Sequence, residues 1–178
     1  LKGETVDEVA GMARTMREKA LHVEVSGPLV DTCGTGGDAS GTFNISTTAG
    51  FVVAGAGARV AKHGNRAMSS ACGSADVLDA LGVKIDLGPD GVRQCLEEVG
   101  YGFMFAQTFH PSMRFASGPR REIGIRTVFN ILGPLTNPAD AQAQLIGVAD
   151  PTVAETMVSV LATLGSNHAI VVHGRDGL

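Results

Sequence analysis

The stretch Val30-Asp31-Thr32-Cys33-Gly34-Thr35-Gly36-Gly37-Asp38 decides the fold and points to the functional site. A short apolar run ends here in three glycines within four positions, and polar residues continue as far as Thr48. Glycine at this density indicates backbone conformations that a Cβ would forbid, or backbone pressed against a ligand. A turn that is rich in free N–H groups and leads into a helix is a natural anion cradle. We therefore expect a phosphate or pyrophosphate site directly after a strand.

The bulk composition limits the class of protein. The 178 residues suffice for one domain with part of another, and 44% hydrophobic against 18% charged residues is typical of a globular protein. A net charge of −4 argues against a nucleic-acid or membrane-surface binder. No apolar run approaches the ~20 residues of a membrane span. The cysteines Cys33, Cys72 and Cys95 lack CxxC spacing, which favours a reducing, cytoplasmic compartment over a disulfide framework or a zinc site.

Apolar runs alternate along the chain with segments of helical periodicity. Strands are predicted at 29–31, 59–62, 103–106, 145–148 and 169–172, and helices at 6–19, 46–56, 74–81, 89–99, from 110, 125–132 and 151–164. Such alternation indicates an α/β fold with a mainly parallel sheet flanked by helices. Ligands bind such sheets beyond the carboxyl ends of the strands. The glycine turn and a predicted polar loop at 63–70 both lie at positions of that kind.

A dinucleotide site is the first competitor for the glycine turn. The segment Gly34–Ala39 matches the loose form of the dinucleotide fingerprint, which also expects an acidic residue about 20 positions further on. No Asp or Glu occurs between Asp38 and Asp76, so only an NADP variant using Arg59 or Lys62 stays open. A Walker A motif is excluded because no Gly-Lys-Ser/Thr ending is present.

The absence of acids favours a polyanion instead. Arg59, Lys62 and Arg66 form a local group of cations in an acidic chain. Hydroxyl and amide donors directly follow the glycines at Thr42, Asn44, Ser46 and Thr47. A polyanion between the two loops would meet backbone donors on one side and Lys62 on the other. Asp38 and the hydroxyls could also face a hydrated Mg²⁺. Helix capping by the hydroxyls and a solvated loop at Lys62 and Arg66 are the structural alternatives.

These residues carry a resemblance that runs through essentially the whole chain. The matching stretches, in order, are Asp31-x-x-Gly34-Thr35-Gly36-Gly37-Asp38, Asn44-Ile45-Ser46-Thr47, Lys62-His63-Gly64-Asn65-Arg66-Ala67-x-Ser69-Ser70, Gly73-Ser74-Ala75-Asp76, His110-Pro111 and residues 126–138. In this order and spacing the chain resembles the anthranilate phosphoribosyltransferase family. That resemblance implies a nucleoside phosphorylase/phosphoribosyltransferase-like fold. It also implies transfer of phosphoribose from phosphoribosyl pyrophosphate to the amine of anthranilate, in tryptophan biosynthesis.

The resemblance also implies roles for individual residues. Those expected to contact phosphoribosyl pyrophosphate are Gly34, Gly37, Asp38, Thr42, Asn44, Ile45, Ser46, Thr47, Lys62, His63, Gly64, Asn65, Arg66, Ala67, Met68, Ser69, Ser70 and Ser74. Ser46 is expected to help hold Mg²⁺. Asn65, Arg120 and Gly34 are expected to contact anthranilate, because a guanidinium binds a carboxylate bidentately. Lys62, Asp38 and Arg120 are the expected catalytic residues.

Two further side chains invite a chemical role. His63 is a candidate acid or base because the ordinary histidine pKa is near 6.5. A histidine that shapes the substrate channel is the alternative, which we favour because an aromatic amine is already an uncharged nucleophile at pH 7. Cys33 is a conceivable thiol nucleophile. Because the reaction needs none, a small side chain that fills the strand end is the better interpretation.

The resemblance leaves parts of the family's enzyme unaccounted for. Residues 1–26 are interpreted as a remnant of its N-terminal helical domain and 27–178 as a truncated α/β domain, with 110–138 expected to pack against the helical part. The family carries a magnesium-binding Asp-Glu pair just after a stretch like residues 173–178. We therefore expect this polypeptide alone to be a poor catalyst. The full-length protein is expected to be a homodimer.

Two other functions stay open at this point. A pyrimidine nucleoside phosphorylase shares the fold type and handles phosphate and ribose, and phosphorolysis of thymidine or uridine would identify it. A non-catalytic relative that binds nucleic acid should display a broad basic face, against which the net charge of −4 argues.

Overall fold

Five parallel strands form one sheet in the computed structural model, which describes residues 3–36, 41–67, 72–123, 125 and 127–175. The strands are β1 (Val30–Gly34), β2 (Val60–Gly64), β3 (Tyr101–Phe105), β4 (Ala143–Gly147) and β5 (His168–Val172). Their order is β3-β2-β1-β4-β5, which confirms the predicted parallel α/β fold. From β1 the chain continues to β2 on one side of β1, and it later returns to the other side of β1 as β4. A crevice is therefore expected at the carboxyl ends of β1 and β4, where the order reverses.

The helices alternate with these strands. They are α1 (Val6–Glu18), α2 (Ile45–Gly55), α3 (Ser74–Ala80), α4 (Pro89–Glu98), α5 (Ala106–Phe109), α6 (Arg114–Ile123), α7 (Phe129–Leu132) and α8 (Ala154–Thr163), with 3₁₀ turns at Pro111–Met113, Gly133–Leu135 and Pro151–Val153. The start of α1 is fixed by a reciprocal capping box between Thr5 and Glu8. Pro89 occupies the first turn of α4, as its position in the sequence predicts.

Three predicted helices differ from those observed. Among the described residues of the segment 125–132, the helical part is α7, and the stretch that follows His110 divides into a 3₁₀ turn and α6. The segment from 151 also begins as a 3₁₀ turn. The carboxylate of Asp150 accepts a hydrogen bond from Thr152 N at 2.9 Å, and this short local bond favours a tight first turn. Sequence periodicity detects a helical region but not how tightly its ends are wound.

Helices cover both faces of the sheet. On one face α3 packs on β3, where Leu78 meets the aromatic side chains of the strand, and α2 lies against β1 and β2. On the other face α4 packs on β2 and β3, while α1, α7 and α8 share one apolar cluster with Cys33 and Ile146. Since Val9, Ala10 and Ala13 of α1 are buried in that cluster, α1 packs directly on the α/β body. The division of the chain at residue 26 stays a prediction.

Among the described residues, no helix is both long and apolar enough to cross a membrane.

Candidate functional site

The glycine turn lies where the strand order reverses. Thr35 N donates to Gly147 O at 2.9 Å, and the Thr35 hydroxyl accepts from Ala149 N at 3.2 Å, so the turn is fastened to the end of β4. Gly36 has φ +67°, a conformation that residues with a Cβ rarely adopt. The described part of the turn, through Gly36, thus lies where it was predicted and has the predicted glycine conformation. Gly37 and Asp38 lie outside the described residues.

The N-terminus of α2 lies beside this turn. The Thr32 hydroxyl donates to Ser46 O at 2.8 Å, which holds the first turn of α2 against β1. Asn44 Nδ2 donates to Cys72 O at 3.1 Å and so joins this end of α2 to the segment before α3. Thr47 is buried, and its hydroxyl oxygen has no hydrogen-bond partner within the described part of the chain. The backbone N–H groups of a helix start attract anions, so the predicted run of donors occupies a suitable position.

Lys62 is a buried residue of β2 and not a loop side chain. Only 1% of Lys62 is exposed, and its ammonium donates to Thr32 O at 2.5 Å and to the Ser46 hydroxyl at 3.2 Å. For Lys62, the solvated-loop interpretation is therefore wrong. Burial lowers the pKa of the Lys62 ammonium, and the nearby charge of Asp31 acts in the opposite direction. The result is a fixed cation directly behind the start of α2.

A second buried charge lies on the neighbouring strand. The Asp31 carboxylate accepts from Asn137 Nδ2 at 2.8 Å and from His63 N at 3.3 Å. Asn137 Nδ2 also donates to Ala61 O at 2.9 Å, so this side chain joins β1 to β2. Burial raises the pKa of the Asp31 carboxyl, while the charge of Lys62 and the hydrogen bonds lower it. Sequence reasoning missed this arrangement, for which an aspartate inside an apolar strand was the available signal.

His63 lies next to His110 under the 3₁₀ turn at Gly133. Its Nδ1 is 3.1 Å from Gly133 O, and the two imidazole centroids are 4.9 Å apart. Burial, followed by the proximity of His110, lowers the pKa of His63 to about 3. Its Nε2 has no hydrogen-bond partner among the described residues. A neutral buried imidazole with this pKa is poorly suited to proton transfer at pH 7, which favours the interpretation of His63 as a shaping residue.

The predicted local group of cations does not exist in the fold. Arg59 precedes β2 at the amino ends of the strands, where its guanidinium donates to Ser26 O at 2.5 Å. The guanidinium of Arg66 is paired with the carboxylates of Asp76 at 2.9 Å and Asp79 at 2.8 Å. The Lys62 ammonium lies between Thr32 O of β1 and the Ser46 hydroxyl of α2. The three charges therefore face three different environments, and that prediction is wrong.

The end of β2 meets the start of α3. The predicted loop at 63–70 is wrong at its first two positions, because His63 and Gly64 continue β2 in register with β3. Beyond them, the carbonyl oxygen of Asn65 accepts from the Ser74 hydroxyl at 3.3 Å and from Ala75 N at 3.2 Å. The structure thus brings together the predicted residues Asn65 and Ser74. Three further predicted residues lie outside the described part of the chain: Met68, Ser69 and Ser70.

Arg120 lies on α6, well separated in sequence from the glycine turn. Its half-buried guanidinium carbon is 5.1 Å from the ring centroid of Phe129, the first residue of α7. This contact is a cation–π interaction. Partial burial lowers the pKa of Arg120 from a very high ordinary value, so the guanidinium stays charged at neutral pH.

Among the described residues, few side-chain oxygens of the site are available to a magnesium ion. The Ser46 hydroxyl is one suitable oxygen, and the described residues contain no group of three His, Cys, Asp or Glu side chains that could hold a metal. Mg²⁺ is often bound by one or two protein oxygens together with substrate phosphates and water. The Ser46 hydroxyl would suit a Mg²⁺ ion that is also held by a polyphosphate ligand.

Comparison with known proteins agrees with this geometry. Anthranilate phosphoribosyltransferases from Roseiflexus castenholzii and Moorella thermoacetica are 68% identical over 178 residues and 65% identical over 179 residues, respectively. Both alignments take in all of this chain but only 52% and 53% of the relatives, so the chain spans about half their length.

Solved structures show the same similarity. The crystal structure of anthranilate phosphoribosyltransferase (TrpD) from Thermus thermophilus superposes with a TM-score of 0.93 at 51% identity, over 98% of this chain and 53% of that one. The Saccharomyces cerevisiae enzyme in complex with PRPP and Mg gives a TM-score of 0.91 at 30% identity, over 98% and 49%. Residues 26–178 match the family described as "Glycosyl transferase family, a/b domain". The chain belongs to this glycosyl transferase family.

Proposed function

We propose that the protein to which this chain belongs transfers the phosphoribosyl group of phosphoribosyl pyrophosphate to the amine of anthranilate, giving N-(5-phosphoribosyl)anthranilate and pyrophosphate. The observation that carries the proposal is the position of Lys62. Its ammonium touches Ser46 at the start of α2, beside a glycine turn at the point of strand reversal. The names of the relatives support the same reaction.

The pyrophosphate would lie between the glycine turn and the first turn of α2. Backbone N–H groups of Ser46 and Thr47 in the first turn of α2 would donate to it, and Lys62 would supply positive charge from below. Asn65, at the end of β2, and Ser74, at the start of α3, would also bind the pyrophosphate. The same role is proposed for Gly37, Asp38 and residues 68–70. Mg²⁺, held by the pyrophosphate and the Ser46 hydroxyl, would neutralise charge on the leaving group.

The reaction is a displacement at the anomeric carbon of ribose. Arg120 would hold the anthranilate carboxylate, and Asn65 with Gly34 would hold the ring so that its amine faces the ribose. The amine is uncharged at pH 7, so positioning and electrostatic stabilisation would supply most of the rate. No proton transfer through His63 is required. We further propose that the protein acts as a homodimer in the cytoplasm.

A titration with phosphoribosyl pyrophosphate and Mg²⁺ tests the proposal. Lys62→Met removes the buried ammonium, and we expect the affinity to fall by about tenfold to a hundredfold, the usual value of a charge-assisted hydrogen bond. Isothermal titration calorimetry measures the affinity, and loss of anthranilate fluorescence measures turnover.

The matched control is Lys84→Met, since Lys84 is exposed and lies 3.9 Å from Asp86 outside the site. It should leave affinity and turnover unchanged. A folded Lys62→Met protein that binds as tightly as the unaltered one would refute the role of Lys62. Failure of the unaltered protein to bind phosphoribosyl pyrophosphate at all would refute the proposed function.

A further inference from the structure

The carboxylate of Asp76 joins two segments that flank the candidate site. Its Oδ2 accepts hydrogen bonds from Ala67 N at 2.9 Å and from Gly73 N at 2.8 Å. Its Oδ1 accepts from the guanidinium of Arg66 at 2.9 Å. These contacts together lower the pKa of Asp76, the hydrogen bond from Ala67 most of all. The side chain is therefore ionised at neutral pH and accepts from both segments at once.

The two segments also touch backbone to backbone. A Cβ on Gly73 would collide with Ala67 N and would lie 2.6 Å from Arg66 C and 2.7 Å from Asn65 O. Only glycine fits such an approach, because the atoms it would strike are main-chain atoms that cannot rotate away. We call residues 65–67 and 73–76 the neck. Its parts are held together by close packing of glycine and by the Asp76 carboxylate.

Helix capping explains only part of this arrangement. An aspartate at the third position of α3 that accepts from the N-cap N–H is an ordinary capping interaction. The bond from Ala67 N and the pair with Arg66 add nothing to a cap, since both come from the segment that follows β2. They connect the end of β2 to the start of α3.

We infer that Asp76 is a positioning residue, which holds Asn65 and Ser74 at the separation that their binding roles require. The inference rests on the proposed function, in which both residues contact substrate. Asn65 and Ser74 belong to the two different segments of the neck, and the Ser74 hydroxyl donates to Asn65 O at 3.3 Å. Small displacements of positioning groups reduce rates strongly, because the reacting atoms must be aligned.

The first experiment compares two capping acids in the complete protein. Asp76→Ala removes the neck carboxylate, and Glu8→Ala removes the corresponding acid of the capping box on α1, away from the site. Both variants should lose some stability. We expect Asp76→Ala to lower kcat and to weaken phosphoribosyl pyrophosphate binding by about tenfold or more, since a charged acceptor of several hydrogen bonds is lost. Glu8→Ala should change neither.

A second pair of variants with milder substitutions keeps the test decisive if Asp76→Ala does not fold. In Asp76→Asn the remaining oxygen can still accept from both backbone N–H groups, but the amide cannot pair with Arg66. Asp79→Asn removes the other carboxylate paired with Arg66 and leaves the neck bonds in place. We expect kcat of Asp76→Asn to fall between the values of Asp76→Ala and the unaltered protein, and kcat of Asp79→Asn to stay near the latter.

Two results would overturn the inference about Asp76 and leave the proposed function intact. One is Asp76→Ala retaining the kcat and affinity of Glu8→Ala, and the other is Asp76→Asn matching Asp79→Asn in both quantities. If the unaltered protein fails to bind phosphoribosyl pyrophosphate, the proposed function and the inference fall together. The binding titration of the unaltered protein therefore separates the two cases.

Discussion

Asp31 and Lys62 place two buried charges on adjacent strands of one sheet. Burying an ionised group is unfavourable unless hydrogen bonds and an opposite charge compensate it. Asp31 is compensated by Asn137 and His63 N, and Lys62 by Thr32 O and the Ser46 hydroxyl. Each charge also moves the other's pKa back toward its ordinary value. Since an apolar pair would avoid these demands, the arrangement fits a functional site better than a purely structural one.

His63 gives a pH dependence whose sign follows from its shifted pKa. The pKa is about 3 in the folded chain against an ordinary 6.5, so the unfolded state takes up a proton first as the pH falls. The contribution of His63 is therefore complete above pH 6.5 and is lost as the pH falls toward 3. At pH 5 the loss is about 2 kcal/mol for a single such group. Urea unfolding of unaltered protein and His63→Gln at pH 5 and 7.5 measures it.

We expect His63→Gln to lose less stability than the unaltered protein between pH 7.5 and 5. His168→Gln is the control, because His168 is exposed on β5, and it should keep the original pH dependence. The comparison between variants is needed because Asp31, whose pKa is raised, acts in the opposite direction. Equal pH dependence in His63→Gln and the unaltered protein would show that His63 is not held neutral by the fold.

At the scale of elements, the sequence predicts the local features well. The glycine turn after β1, the capping box of α1 and Pro89 at the start of α4 each depend on neighbours within a few residues. The end of β2, in contrast, does not depend only on neighbours in sequence. His63-Gly64 has the composition of a loop, yet pairing with Met104 and Phe105 on β3 extends the strand through both residues. Tertiary contacts override local propensity there.

The same limit explains why the burial of Lys62 was not predicted. A lysine two residues before a Gly-Asn pair is usually solvated, and nothing nearby in sequence announces burial. Its acceptor Thr32 O lies 30 residues earlier, and the partner of Asp31, Asn137, lies 106 residues later. Contacts over such distances follow from the strand order, which the sequence does not determine by pattern alone. The location of the site was predictable, but its internal hydrogen bonds were not.

Asn137 is the residue by which the segment before β4 is connected to β1 and β2. It is 3% exposed, donates to Asp31 and Ala61 O, and accepts from Ala139 N at 2.9 Å. Asn137→Ala leaves these groups unpaired in the interior. We expect the free energy of unfolding to fall by about 3 kcal/mol. Denaturant unfolding at pH 7 measures this change.

Asn167→Ala is the matched control, since Asn167 is exposed in the turn before β5. A surface substitution of this kind should change the free energy of unfolding by less than about 0.5 kcal/mol. If Asn137→Ala were as stable as Asn167→Ala, the buried hydrogen bonds to Asp31 and Ala61 would contribute little to the connection between the strands.

On the scale of the whole molecule, helices cover the two faces of the sheet unevenly. Over β1, β2 and β3 both faces of the sheet carry helices, whereas over β4 and β5 the described helices cover only the face of Ile146 and Val171. On the other face, Leu145 of β4 and its register partner Ile170 of β5 are both exposed. Val172 extends the same surface. An apolar face of this kind favours association with another apolar surface.

We expect the 178-residue chain to self-associate through this face. Ile170→Thr replaces an apolar side chain at the centre of the patch while keeping a β-branched residue in the strand, so association should weaken without loss of the fold. Val158→Thr is the control, because Val158 is 52% exposed on α8 and Ile170 is 50% exposed on the sheet. Sedimentation velocity at several concentrations measures the distribution of species.

Ile170→Thr should shift the distribution toward the 18.3 kDa monomer, and Val158→Thr should not. Circular dichroism of each variant shows whether the fold is retained. If both variants associate as the unaltered chain does, the uncovered face of β4 and β5 is not the contact. If Val158→Thr alone weakens association, the contact lies on the outer surface of α8. The two outcomes separate an exposed sheet face from exposed apolar surface in general, because both residues are β-branched and equally exposed but lie on different surfaces.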